Sequence, residues 1–196
     1  MKQKLSRLTL LAAGIALSLS ASLPASAATV AATPAMLSNT CNGCHGTDGS
    51  SAGLSNPSIA GLGADYFVTT MKQFQSGERP SSIMGRLAKG YSDEQLKTMG
   101  AFFAAKKFVA AKQPFDAGKA KAGKELHDKS CKMCHANGGK AGANGALAGQ
   151  WKEALQVTFA EYRGGKRKGP EMMTKTLTGM SDANIDALIN YYASQQ

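Results

Sequence analysis

The feature that most constrains this chain is a short cysteine and histidine motif that occurs twice. "CNGCHGTDG" begins at Cys41, and "CKMCHANGG" begins at Cys131. The segments that follow also recur, since "IAGLGADYFVTTMKQFQSGER" (59–79) aligns with "LAGQWKEALQVTFAEYRGGKR" (147–167), and "YSDEQLKTMGAFF" (91–103) aligns with "MSDANIDALINYY" (180–192). Three blocks repeated in the same order predict a duplicated domain of roughly 80 residues.

The boundary between the two copies is expected in "KKFVAAKQPFDAGK", where Pro114 interrupts helix formation. This predicts a first domain over residues 28–112 and a second domain over residues 113–196. Residues 1–27 are expected to be a cleaved signal peptide, because a basic start precedes a short apolar run and the small residues of Ala25-Ser26-Ala27. An uncleaved membrane anchor is the alternative for this segment.

The export signal predicts a periplasmic protein, and no later segment has the roughly 20 apolar residues that a membrane span needs. The formal net charge is +10 and stays positive without the basic residues of the signal. Export, and the lack of a basic run interleaved with aromatics, argue against nucleic acid as the partner and leave an acidic protein or an anionic surface. We interpret the densest basic cluster, "GGKRKG" (164–169), as a solvated loop.

Each copy is expected to be all-α. Apolar residues in the middle block recur at i, i+4 and i+7, which is one face of a helix; they are Phe67, Met71 and Phe74 in the first copy and Leu155, Phe159 and Tyr162 in the second. A helix is also expected over 115–130, and the last helix of each copy should begin at Ser92 or Ser181, which are good N-caps. Such small, glycine-rich domains have thin cores, so another group is expected to fill the centre of each.

The cysteine motif admits three chemistries, and one fits best. A redox-active disulfide of the thioredoxin type would need a βαβ context, which the sequence lacks. Zinc would need four ligands, and the long separation of Cys44 from Cys131 lies outside zinc-ribbon spacing. Cys-x-x-Cys-His is the attachment signature of c-type haem. We therefore expect two covalently bound haems c, one on Cys41 and Cys44 and one on Cys131 and Cys134, with His45 and His135 as axial ligands of iron.

The sixth iron ligand decides what each haem does, since methionine or histidine there favours electron transfer and an open site permits catalysis. Met84 and Met173 lie at nearly equal distances from the two motif histidines, in what we expect to be the loop before each last helix. We predict them as axial ligands, with Met172 as the rival of Met173. The spare histidine, His127, is expected on the surface, and the other methionines are expected to serve in packing.

These motifs resemble known cytochromes. One copy resembles a class I cytochrome c domain, and two in tandem resemble the cytochrome c4 family of dihaem cytochromes. The resemblance covers essentially all of the chain after the predicted signal, and it implies two tandem class I domains, each wrapped around one covalent haem. "SIMGRLAKGYS", "KELHDKSCKMCHANGGK" and "YYASQQ" look more specifically like the cytochrome subunit of flavocytochrome c sulfide dehydrogenase.

That resemblance implies a function and partners. In flavocytochrome c sulfide dehydrogenase, a flavoprotein subunit oxidises sulfide, and its FAD passes electrons to the dihaem subunit and then to another periplasmic carrier, such as a small cytochrome c. The chain would be an electron-transfer subunit and no enzyme by itself, and it would bind no FAD, because it lacks a glycine-rich nucleotide fingerprint between strand and helix. A free dihaem shuttle to a terminal oxidase, a carrier in thiosulfate oxidation and a haem peroxidase are the alternatives, and the paired methionines speak against the last.

The resemblance also points to a difference between the two copies. Class I domains often use a proline carbonyl to accept the ring N–H of the axial histidine, which orients the ring and tunes the iron. Pro57 matches that position for His45, whereas Gly145 stands at the equivalent position for His135. We expect the two haems to differ in potential or stability, because a glycine loop holds its carbonyl less firmly.

Overall fold

The computed structural model of the protein describes residues 31–196, and the predicted signal peptide lies outside them. We call residues 31–112 the first half and residues 113–196 the second half. The helices of the first half are α1 (Pro34–Asn39), α2 (Asn42–His45), α3 (Ala64–Ser76), α4 (Met84–Leu87) and α5 (Asp93–Ala104), with 3₁₀ turns at Thr47–Gly49 and Ala88–Gly90. Those of the second half are α6 (Ala117–Ser130), α7 (Ala136–Gly139), α8 (Lys152–Arg163), α9 (Glu171–Thr178) and α10 (Asp182–Ala193).

The all-α prediction is confirmed over residues 31–196. This region contains no strand, and its sole β-type pairing is an isolated bridge between Gly142 and Gly145. None of the helices in the same region is long and apolar enough to cross a membrane.

Each half has its own hydrophobic core, and the two predicted helical faces lie at the centre of these cores. In the first half, α3 packs against α5 and contributes Phe67, Met71 and Phe74 to one buried cluster. In the second half, the equivalent residues of α8 are buried with α10 in another cluster. Neither cluster contains a buried residue of the other half, so the duplication predicted from sequence is also a duplication of packing.

Capping residues determine where the main helices begin. Ser92 accepts a hydrogen bond from Gln95 N at 3.3 Å, and the Gln95 side chain accepts one from Ser92 N at 2.9 Å, which forms a capping box before α5. Ser181 caps α10 by accepting from Asn184 N at 3.2 Å. Both predicted helix starts are therefore confirmed.

The loop after each motif closes in the same way in the two halves. Gly49 O accepts hydrogen bonds from the N–H groups of residues 59 and 60, and Gly139 O accepts from those of residues 147 and 148. Gly61 N donates to Phe103 O at 2.8 Å, and Gly149 N donates to Tyr192 O at 2.8 Å. These matched bonds tie the glycine-rich loop to the end of the last helix in each half.

The segments before α5 and α10 differ from our expectation, because the predicted methionine loops are partly helical. Met84 begins the short helix α4, and Met173 lies in the first turn of α9. Pro170 and Glu171 favour the start of α9. The N–H groups at the start of a helix have no partner within it, so proline loses no hydrogen bond there, and an acidic side chain complements the helix dipole. In the first half, Ser81 Oγ accepts from Met84 N at 3.0 Å and holds the start of α4.

Two side chains that we expected in solvent are buried instead. His127 is only 1% exposed; it packs against the rings of Tyr191 and Tyr192, and its Nδ1 lies 3.0 Å from Tyr192 Oη. Its counterpart in the first half, Leu37, also packs against a core. In the predicted solvated loop 164–169, Arg167 is buried over the Tyr162 ring, whereas its neighbours in the loop are exposed.

The two halves meet through specific hydrogen bonds. The linker runs beside the second half, where Ala111 N donates to Gly149 O at 2.8 Å. Gly63 N donates to Gly142 O at 2.9 Å, and Arg167 Nη2 donates to Tyr66 Oη at 3.0 Å. These bonds involve backbone groups, the buried Arg167 and the partly buried Tyr66, so they fix the position of each half against the other more tightly than exposed ion pairs would.

Candidate haem sites

Each Cys-x-x-Cys-His motif closes one hydrogen-bonded turn, which is helical in the first half (Asn42–His45) and lies between α6 and α7 in the second, and the two turns have the same hydrogen bonds. Cys44 N and His45 N both donate to Cys41 O, at 3.2 and 2.9 Å. The corresponding groups of the second motif donate to Cys131 O at the same two distances. Cysteines three positions apart on a helical turn project from one side of it, so both thiols of a motif can reach one ligand.

All four cysteines are free thiols, and their burial follows a common pattern. The first cysteine of each motif, Cys41 or Cys131, is partly buried against the core of its own half, and this burial raises the pKa of both thiols. The second cysteine, Cys44 or Cys134, is exposed. Between residues 31 and 196, no group of three or more His, Cys, Asp or Glu side chains is arranged to hold a metal ion.

The His45 ring is oriented by Pro57, the residue that the sequence predicts for this role. Its Nδ1 lies 2.8 Å from the carbonyl oxygen of Pro57. A carbonyl can only accept, so Nδ1 carries the hydrogen and Nε2 keeps its lone pair for a metal. Burial lowers the pKa of His45, and the bond to Pro57 offsets part of that effect, which favours the neutral ring that iron binds.

The second site lacks this hydrogen bond in the described part of the chain. Gly145 O accepts instead from Gly142 N at 3.1 Å, and the structure gives no hydrogen bond between the His135 ring and Gly145. Gly145 has a φ of +89°, and a Cβ at this position would lie 3.1 Å from the ring of Tyr66, which comes from the first half. Glycine is therefore required here by both the backbone conformation and the neighbouring ring.

The candidate methionines occupy equivalent places beside the two cores. Met84 packs against the same buried cluster as Cys41, and Met173 packs against the same cluster as Cys131. Met172, the rival of Met173, is 66% exposed. In each half the structure therefore brings the motif cysteine and the predicted methionine to a common apolar environment, which Met180 shares in the second half and Met71 and Met99 share in the first.

The side chains of each half fit a c-type haem. Two thiols on one side of a turn suit two thioether bonds, a histidine suits one axial position, and a thioether sulfur beside an apolar core suits the other. Sequence reasoning missed the buried His127 and the hydrogen bonds between the halves. The apolar Leu37 at the position equivalent to His127 was the available signal for its burial.

Comparisons with known proteins agree with this arrangement. Residues 118–191 match the family model described as cytochrome c oxidase, cbb3-type, subunit III. The chain is 31% identical over 168 residues to a thiosulfate dehydrogenase electron acceptor from Stutzerimonas stutzeri, which covers 79% of this chain and 78% of that protein. The crystal structure of reduced cytochrome c4 from Pseudomonas stutzeri superposes with a TM-score of 0.69 at 25% identity, covering 79% of this chain and 92% of that one.

A further relative shares a shorter region with higher identity. The cytochrome subunit of sulfide dehydrogenase from Chlorobaculum tepidum is 44% identical over 68 residues, which is 35% of this chain and 61% of that protein. This chain therefore matches about three fifths of the length of that relative. Two helical halves with matched Cys-x-x-Cys-His turns, together with relatives that span both halves, lead to one conclusion: the chain belongs to the cytochrome c4-like family of dihaem class I cytochromes c, which transfer electrons.

Proposed function

We propose that this protein is a periplasmic electron-transfer subunit that accepts electrons from a flavoprotein that oxidises sulfide and passes them to another periplasmic carrier. The FAD belongs to the partner subunit, and this chain holds two haems c in the domains 28–112 and 113–196. The observation that carries the sulfide assignment is the 44% identity to a sulfide dehydrogenase cytochrome subunit, the highest identity among the relatives compared above.

The haems are assigned to named residues. Cys41 and Cys44 hold the first, with His45 and Met84 at its iron. Cys131 and Cys134 hold the second, with His135 and Met173 at its iron. Each haem supplies a one-electron redox centre when bound. The free thiols, the Nδ1–H of His45 on Pro57 and the packing of both methionines beside the cores support this assignment.

A second candidate function is a dihaem carrier that works without a permanent flavoprotein, either as a shuttle to a terminal oxidase or in thiosulfate oxidation. The relative named as a thiosulfate dehydrogenase electron acceptor favours it, because that alignment spans both halves at 31% identity. The two functions use the same haem ligands and differ in the electron donor and in how firmly it binds.

Apolar surface beside the predicted ligands suits a stable partner. Ile83 precedes Met84 and is 59% exposed, and the equivalent residue of the second half, Met172, is 66% exposed. The core of a stable interface is depleted in charged residues, whereas charges at the rim steer association. We infer that the flavoprotein covers one of these two apolar positions, and that the basic surface of the chain receives an acidic electron acceptor.

Stopped-flow kinetics tests the proposed function. The haem-loaded protein is mixed with the candidate flavoprotein, sulfide is added, and haem absorbance is followed. Reduction should be fast with the flavoprotein and slow without it. Raising the salt concentration should slow transfer to the acceptor far more than transfer from flavin to haem, because exposed charges are screened and a docked interface is not. A cytochrome that stayed monomeric beside the flavoprotein, yet reduced a terminal oxidase directly, would establish the second candidate instead.

The pair Ile83→Lys and Met172→Lys supplies matched variants for the docking site. A lysine desolvated in the interface destabilises the complex, so one variant should slow flavin-to-haem transfer by about tenfold or more, which corresponds to roughly 1.4 kcal/mol. The other variant should behave like the unmodified protein. Unchanged rates in both would exclude these two positions from the interface.

A further inference from the structure

The segment 51–58 of the first half forms hydrogen bonds with two side chains of the second half. Gln150 and Ser58 are both buried, at 4% and 2% exposure. Gln150 Oε1 accepts from Ser58 N at 2.9 Å, and Gln150 Nε2 donates to Ser58 O at 2.7 Å. The next residue, Trp151, donates from its indole nitrogen to Ser51 O at 2.9 Å. Ser58 Oγ completes the arrangement by accepting from Ser51 N at 3.0 Å.

The peptide group that forms a hydrogen bond with Gln150 is also the one that accepts the hydrogen bond of His45. Pro57 O and Ser58 N–H belong to a single planar peptide unit. Its N–H end donates to Gln150 Oε1, and its C=O end accepts from His45 Nδ1 at 2.8 Å. Gln150 therefore fixes the plane of the acceptor. It also polarises the peptide, because hydrogen bonds in series strengthen one another.

We propose that Gln150 is a positioning residue for the first haem site, acting from the other half of the molecule through the Pro57–Ser58 peptide on the His45 ring. The proposal rests on the proposed role of His45 as an iron ligand. A stronger acceptor at Nδ1 makes the imidazole a better donor to its metal, which favours oxidised iron. Gln150 should thus lower the reduction potential of the first haem.

The second site has no equivalent of this arrangement in residues 31–196. Leu62 occupies the position in the first half that corresponds to Gln150, and an aliphatic side chain cannot form these bonds. Ala146 stands where Ser58 stands, and Gly145 O is bonded to Gly142 N. The effect of Gln150 should therefore be confined to the first haem, which leaves the second as an internal reference.

NMR of the reduced, haem-loaded protein labelled with ¹⁵N-histidine tests the proposal, since the chain contains three histidines. The measured quantity is the rate at which the His45 Nδ1–H exchanges with solvent. Gln150→Leu introduces the residue type found at the equivalent position of the first half, Leu62. It should speed this exchange about tenfold, which is the effect expected for the loss of about one hydrogen bond. The potential of the first haem should rise, and that of the second should stay constant.

Tyr66→Phe is the matched control, because it removes a different hydrogen bond between the halves, the one accepted from Arg167. It should leave His45 exchange unchanged. If it speeds exchange as much as Gln150→Leu does, general loosening of the contact between the halves explains the effect and the proposal is wrong. Unchanged exchange and potential in a folded Gln150→Leu protein that carries two haems would also overturn it.

Gln150→Glu serves where the leucine variant does not fold. The introduced carboxylate still accepts from Ser58 N–H but cannot donate to Ser58 O, so exchange should stay near that of the unmodified protein. Exchange about tenfold faster than in the unmodified protein would contradict the proposed peptide route. The proposed function fails separately: if His45 Nε2 in the unmodified protein shows the chemical shift of a free imidazole, His45 binds no iron, whatever Gln150 does.

Discussion

At the scale of single residues, register and burial together favour Met173 over Met172 as the proposed iron ligand of the second half. Ile83 and Met172 are both exposed, whereas Met84 and Met173 both pack against a core. A thioether that binds iron must face the interior of its half. The repeat therefore aligns Met84 with Met173, and it gives Met172 the same outward position as Ile83.

Met173→Ala tests this register. It should abolish the methionine-to-iron charge-transfer band of one haem and open that haem to carbon monoxide, because an alanine cannot bind the iron. Absorbance spectroscopy of the oxidised protein and carbon monoxide titration of the reduced protein measure both effects.

Met172→Ala is the matched control and should keep both bands. The opposite result, with the band lost in Met172→Ala and retained in Met173→Ala, would show that the alignment of the two copies is wrong by one residue and that Met172 is the ligand. Ready binding of carbon monoxide at both haems of the unmodified protein would contradict methionine ligation and favour a catalytic role.

At the scale of helices, the regular parts were predictable and the contacts between distant parts were not. The faces of α3 and α8 follow from apolar spacing, and the starts of α5 and α10 follow from serine caps, because both signals are local. The burial of His127 depends on α10, which lies far along the chain, and one histidine carries no periodic signal. The bonds of Gln150 to Ser58 likewise join residues of different halves, so no local pattern encodes them.

The crossing of α6 and α10 depends on a single glycine. A Cβ at Gly123 would collide with the backbone of Ala187 and lie 2.8 Å from Tyr191 Cβ. Gly123→Ala should therefore lower the free energy of unfolding of the second half by about 1–3 kcal/mol, although alanine favours helix more than glycine does. Chemical denaturation followed by circular dichroism measures this change.

Gly118→Ala, in the same helix, is the matched control for that prediction. Its new Cβ would meet only the end of the Asp116 side chain, at 3.3 Å, so stability should stay within about 0.5 kcal/mol of that of the unmodified protein. Equal stability of the Gly123 and Gly118 variants would show that α6 can shift away from α10 without loss.

At the scale of the whole molecule, two separate cores are joined by a contact that extends to one of the two candidate haem sites. Each core belongs to one half, so each half can in principle lose its haem independently. The contact is unequal, however. Gln150 and Trp151 of the second half bind the segment that carries Pro57, whereas Tyr66 of the first half packs against Gly145 without replacing its bond to Gly142. Loss of the second half should therefore disturb the first haem more than the reverse.

Replacing both cysteines of one motif tests this inequality. Cys131→Ser with Cys134→Ser should halve the haem that survives acid extraction and unfold the second half, because a core of this size depends on the haem to fill it. The released Pro57 segment should then raise the potential of the remaining haem. Cys41→Ser with Cys44→Ser, the matched variant, should also halve the haem but shift the other potential less, since within residues 31–196 no side chain of the first half forms a hydrogen bond with Gly145, the residue equivalent to Pro57. Haem content per chain, limited proteolysis and redox titration measure these effects. Full retention of covalent haem in the first variant would contradict the assignment of Cys131 and Cys134, and equal potential shifts in the two variants would contradict the unequal contact.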